Sequence, residues 1–146
     1  MAVYREELTR IANALHLVEG ILRDYSKADL SIQQKPSGEL VTEADLEVDR
    51  VLRHALCRGQ EGWLSEETVD DCRRLRKFRT WIVEPLDGTK EFTQGIPEWC
   101  VSIGLAEAGR LVAGGIANPL TNEVVVGSLE AGVTINGDPG AGRESH

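Results

Sequence analysis

The sequence predicts an α+β domain that places its helices first and its strands after. Two observations carry that prediction. Apolar residues recur at steps of three and four twice in the N-terminal half, whereas the C-terminal half alternates large apolar with small or polar residues between turn signals.

The first helical stripe is Tyr4, Leu8, Ile11, Leu15, Val18, Leu22 and Tyr25, about six turns with one face on the core. Arg5, Glu6, Glu7, Arg10 and Glu19 read as its solvated face, and His16 as a packed or surface residue rather than a ligand. Residues 26–39 are polar and carry the breaker Lys35-Pro36-Ser37-Gly38, so they read as a loop with a short strand at Leu30 to Gln33. Thr42 followed by Asp45 then has the form of a capping box. It opens a second helix whose stripe is Ala44, Val48, Val51, Leu52, Ala55 and Leu56. Trp63-Leu64-Ser65 is a short strand leading into the acid pair Glu66-Glu67, which by itself reads as solvated. The mixed-charge run from Asp70 to Arg79 is expected to be a solvated loop.

Trp81-Ile82-Val83 reads as a buried strand that breaks at Pro85 and resumes at Gly88-Thr89 as the first turn of a helix, leaving Glu84 and Asp87 on the turn. Carboxylates at such a turn offer hard oxygen ligands to Mg²⁺, and free N–H groups at a helix start favour phosphate. An ordinary Asp-Gly turn beside a solvated glutamate explains the same residues. Beyond it, Trp99 to Leu105, Leu111 to Ala117, Val124 to Val126 and Gly132 to Ile135 read as an antiparallel meander. Turns fall at Ala108-Gly109, at residues 118–122 and at Asn136-Gly137. The expected domain spans residues 1–137, with residues 138–146 a disordered tail lacking apolar alternation, as if the chain stopped partway through its architecture.

With 146 residues, 41% of them hydrophobic, the chain can build one domain with a core but not two. A formal net charge of -8 argues against a nucleic-acid polymer or an anionic membrane as partner. A phosphorylated substrate would then need a local cation. No window approaches the roughly 18 apolar residues of a membrane span, and Met1 to Arg10 lacks signal-peptide character, so the chain reads as cytoplasmic. Cys57, Cys72 and Cys100 are widely spaced and read as free buried thiols.

Three segments together carry a resemblance. Val41-Thr42-Glu43-Ala44-Asp45, Ser65-Glu66-Glu67 and the run Trp81 to Leu105 resemble, in order and spacing, the N-terminal motifs of the inositol monophosphatase superfamily. Asp87-Gly88-Thr89-Lys90-Glu91-Phe92 is similar to the 3'(2'),5'-bisphosphate nucleotidase branch. The resemblance implies two N-terminal helices packed on an antiparallel β-sheet, the first half of a layered sandwich.

It also implies a Mg²⁺-dependent phosphate monoester hydrolase. Glu66, Glu84, the Leu86 carbonyl and Asp87 would bind Mg²⁺; Asp45 and Thr89 would orient and deprotonate water; Asp87, Gly88 and Thr89 would hold the substrate phosphate. The implied substrate is an inositol phosphate or a 3'-phosphonucleotide. Two features depart from the family pattern: Glu84 stands where the family has aspartate, and the family's C-terminal Trp-Asp motif is absent. Magnesium demands near-ideal octahedral geometry, so the expectation is impaired catalysis in this short chain. The alternative is an inactive remnant or an interaction module, with a homodimer or a partner chain covering the missing half.

Overall fold

The computed structural model describes residues 4–25, 32–34, 40–67, 70, 72–87, 100–118 and 123–138. Helix α1 spans Arg5–Tyr25, with Glu6 and Glu7 in its first turn and Arg23 in its last, each matched to the helix dipole. Helix α2 spans Glu43–Leu56. Ile11, Leu15, Val18 and Leu22 of α1 and Ala44, Val48, Leu52 and Leu56 of α2 are fully buried, as the two stripes predict. His16 lies at the surface, where its Nδ1 meets Glu19 Oε1 at 2.9 Å. Strands β1 (Ile32–Gln34) and β2 (Leu40–Thr42) form a small antiparallel ribbon before α2. The Thr42 capping side chain lies outside the described residues.

The main sheet has six strands in sequence order: β3 (Gly62–Ser65), β4 (Arg79–Asp87), β5 (Cys100–Glu107), β6 (Arg110–Asn118), β7 (Glu123–Ser128) and β8 (Gly132–Ile135). From β4 onward it is the expected antiparallel meander, and β3 joins its edge parallel to β4. A parallel pair needs a crossover. The connection from β3 to β4 supplies it, and the charged segment read as loop forms a 3₁₀ turn at Arg73–Arg76 within it. Two hairpin turns place consecutive residues at positive φ, Ala108 (51°) with Gly109 (77°) and Asn136 (52°) with Gly137 (82°), as tight hairpins require. After the second turn Asp138 pairs back with Ile135.

Both helices pack on one face of the sheet, α1 over β6 and β7, α2 over β4. Trp81, Val83, Val101, Ile103, Leu105, Ala113, Ala117, Val124 and Val126 point from the strands into this core. One thiol departs from expectation: Cys57 and Cys100 are half-buried, but Cys72 is exposed, because it precedes the 3₁₀ turn on the outside of the crossover. No described helix is long and apolar enough to cross a membrane.

The strand break expected at Pro85 does not occur. Strand β4 continues through it to Asp87. Glu84 opposes Ser102 and Asp87 opposes Cys100, three steps on β4 against two on β5, so an extra residue is accommodated as a β-bulge. Proline lacks a ladder donor and is tolerated where pairing is interrupted. The helix start expected at Gly88-Thr89 and residue Trp99 lie outside the described residues.

Candidate functional site

Parallel strands end at the same edge, and that places the acidic residues of two separate motifs side by side. The last register pair of β3 and β4 is Ser65 with Val83. Glu66 and Glu84 are the next residue on each strand, and both line one groove. Glu66 is exposed and Glu84 half-buried. The bulge brings position 87 into phase with position 84 in the ladder to β5, although the two are three apart in sequence.

Helix α2 approaches the same strand ends. Asp45 and Asp49, one turn apart and so on one helix face, are both buried. The Ser65 hydroxyl donates a hydrogen bond to Asp49 Oδ1, and Ser65 Oγ accepts one from the Glu67 N–H at 3.3 Å. The turn carrying Glu66 is thereby tied to the helix carrying Asp45. Glu67 was expected to be solvated, yet both of its carboxylate oxygens are shielded from solvent. Glu67 is half-buried in the turn that Ser65 pins, while Glu66 is exposed.

At their other ends the strands are clamped by ions. Arg10 Nη1 donates to Glu61 Oε1 (3.0 Å) and to the Leu56 carbonyl (2.8 Å), Trp81 Nε1 donates to Glu61 Oε1 (3.0 Å), and the Arg10 guanidinium lies 5.4 Å from the Trp81 ring centroid. Burial pushes the Glu61 carboxyl up, but the Trp81 and Arg58 N–H donors and Arg10 outweigh it and hold it below its ordinary value. Arg79 at the start of β4 pairs with Glu7 (2.6 Å) and Glu107 (2.7 Å), which raises its pKa further although burial opposes this. These contacts fix α1, α2 and β3 to β5 as one scaffold beneath the acidic edge.

Of the predicted site residues, the structure brings Glu66 and Glu84 to one groove and places Asp45 on the helix packed behind it. Leu86 and Asp87 are described as β4 backbone only, and Gly88 and Thr89 lie outside the described residues. Among the described residues no three His, Cys, Asp or Glu side chains are grouped to hold a metal ion. Glu66 and Glu84 are nonetheless hard oxygen donors of the kind Mg²⁺ takes, and Asp87 is the next carboxylate along the strand. Sequence reasoning missed Asp49. Its signal was an acid four residues after Asp45, at the margin of an apolar stripe.

This architecture recurs in solved proteins. The extragenic suppressor protein suhB from Bartonella henselae superposes with a TM-score of 0.82 at 27% identity, over 92% of this chain and 53% of that one. In sequence the chain is 35% identical over 118 residues to the inositol-1-monophosphatase of Caulobacter vibrioides, and 30% identical over 121 residues to that of Rhizobium meliloti. These matches cover 78% and 81% of this chain but 46% and 45% of the relatives, so it spans about half their length. The profile of the inositol monophosphatase family matches residues 4–146. The chain belongs to the inositol monophosphatase family.

Proposed function

We propose that this chain contributes the metal- and phosphate-facing part of a Mg²⁺-dependent phosphomonoesterase acting on an inositol phosphate. The observation that carries the reading is the meeting of Glu66 and Glu84 at adjacent ends of a parallel strand pair, backed by the helix that bears Asp45. In this reading Glu66, Glu84, the Leu86 carbonyl and Asp87 hold the cation. Bound there, Mg²⁺ supplies charge neutralisation of the phosphate and a lowered pKa for water. Gly88 and Thr89 N–H groups hold the phosphate, and Thr89 passes a proton towards Asp45. Asp49 and Ser65 keep Asp45 and Glu66 in fixed relation. Glu84 carries one methylene more than the aspartate of the family pattern, which moves its carboxylate by roughly one bond and slows turnover. The names of the relatives favour inositol 1-phosphate over a 3'-phosphonucleotide.

The test is Mg²⁺-dependent phosphate release from inositol 1-phosphate and from 3'-phosphoadenosine 5'-phosphate. Slow release from the first, lost in Asp87→Asn and increased in Glu84→Asp, is the expected result. No release by the folded chain or by Glu84→Asp overturns the proposal. The second reading, an interaction module, is favoured by the apolar face that the sheet turns away from its helices.

A further inference from the structure

At the end of the sheet opposite the acidic edge, the crossover and the β5–β6 hairpin bring basic and apolar side chains together in solvent. The 3₁₀ turn at Arg73–Arg76 sets Arg73 and Arg76 three apart, hence on one face, and both are exposed. Leu75 is 70% exposed and Phe78 68%. The Ala108 N–H donates to the Phe78 carbonyl at 2.8 Å, which joins this segment to the hairpin that carries exposed Arg110. Lys77 completes the group and donates to Gln60 Oε1 at 3.2 Å. Three acids beside the group are engaged by other arginines: Asp70 by Arg74, Glu61 by Arg10 and Glu107 by Arg79. Among the described residues no carboxylate pairs with Arg76, Lys77 or Arg110. The turn is also held in place. Asp70 accepts from the Cys72 N–H at 3.0 Å as well as from Arg74, and a Cβ at Gly62 would stand 3.0 Å from Arg74 Cα, so the turn lies directly on β3. Arg79 and Glu84 are separated along β4 by roughly 17 Å at about 3.3 Å per residue, which sets the patch apart from the candidate site.

We propose that this end of the sheet docks an acidic peptide segment of a partner protein, one that interleaves apolar side chains with carboxylates. Charge complementarity selects the sign. On a chain of formal net charge -8 an acidic partner is repelled by most of the surface and steered to the one end where arginine and lysine gather. Leu75 and Phe78 select a polypeptide. Two neighbouring apolar side chains in solvent suit the leucine or phenylalanine of a peptide, whereas a nucleic acid gains from the ring of Phe78 by stacking and gains nothing from Leu75. A phosphate polymer would also run on over the acidic remainder of the chain. Because the turn is pinned through Asp70 and packed on β3, its side chains start from a fixed backbone, and binding orders less. The contact is small and so of the transient kind. This surface reading does not depend on the catalytic one.

The experiment pans a random peptide library on the chain and titrates the selected peptide, labelled with fluorescein, by anisotropy. The expected peptides are enriched in Asp and Glu interleaved with Leu or Phe, and their binding weakens as salt rises from about 0.05 to about 0.3 M. Arg76→Glu and Phe78→Ala, both at exposed positions and each checked for an unchanged circular dichroism spectrum, should weaken binding at least about tenfold. Arg50→Glu makes the same change of charge on α2, where the arginine side chain is 73% exposed, and should leave binding within about twofold. The proposal is overturned if the library yields no binder or binders without acidic enrichment. It is overturned equally if the peptides ignore both patch substitutions, if Arg50→Glu weakens them as much, or if a single-stranded oligonucleotide binds the chain more tightly than the selected peptide.

Discussion

The Ser65 hydroxyl donates its hydrogen bond to the Asp49 carboxylate, and both groups are buried. The bond spans the junction between α2 and the end of β3, one residue before Glu66. A buried carboxylate that loses a donor keeps its desolvation cost. Ser65→Ala is therefore expected to destabilise the chain by about 1.5–3 kcal/mol, measured as a lower urea midpoint with unchanged slope. Since Ser65 also accepts from the Glu67 N–H, the same variant should loosen the turn and speed amide exchange at Glu67.

Arg10 and Glu61 form an ion pair whose side chains are only 8% and 13% exposed. Such pairs are costly to break from one side, because the remaining charge stays buried. Arg10→Met should cost about 3–5 kcal/mol, and the double variant Arg10→Met, Glu61→Gln less than the single one. Equilibrium urea unfolding of the three proteins checks the order.

The same network sets the acid limit of the fold. Burial pushes the Glu61 and Glu7 carboxyls up, but hydrogen bonds from Trp81 and Arg58 to Glu61, from Arg79 to Glu7, and the nearby arginine charges outweigh it, so both sit below their ordinary 4.5. A carboxylate whose pKa is lower folded than unfolded adds stability that is present above 4.5 and is lost as pH falls through the folded value. Thermal midpoints taken from about pH 7 to about pH 3 should stay level and then fall, and Glu61→Gln should make that fall shallower.

How much of this was legible from sequence differs by element. Both helices and the four meander strands were readable because their burial is one-sided, and one-sided burial writes a period of 3.6 or 2 into the chain. The end of β4 was not readable. Pro85 signals a break, and only the partner strand shows that the surplus residue between Glu84 and Asp87 is absorbed as a bulge. The parallel placement of β3 was hidden for the same reason, since Trp63-Leu64-Ser65 records burial but not the direction of its neighbour. Glu66 and Glu84 could be named as candidates from their motifs, yet their adjacency depends on that direction. Asp49 went unnoticed because an acid beside an apolar stripe reads as solvated until its partner, Ser65, is folded against it.

Gly115 records how closely α1 lies on the sheet. A Cβ added there would stand 2.7 Å from Ile11 Cγ2, 2.9 Å from Leu15 Cδ1 and 3.2 Å from the Val125 carbonyl oxygen. Ile11 and Leu15 are fully buried, so neither can swing into solvent, and α1 as a whole must shift. Gly115→Ala is expected to cost about 1–3 kcal/mol by overpacking. Ile11→Ala removes the nearest obstructing methyl and by itself costs about 2–5 kcal/mol through the cavity it leaves. Combined, the new Cβ occupies part of the space that Ile11 vacates, so the double variant should be more stable than the sum of the two losses by at least about 0.5 kcal/mol. Strict additivity in urea unfolding would mean that α1 does not rest on Gly115 in solution.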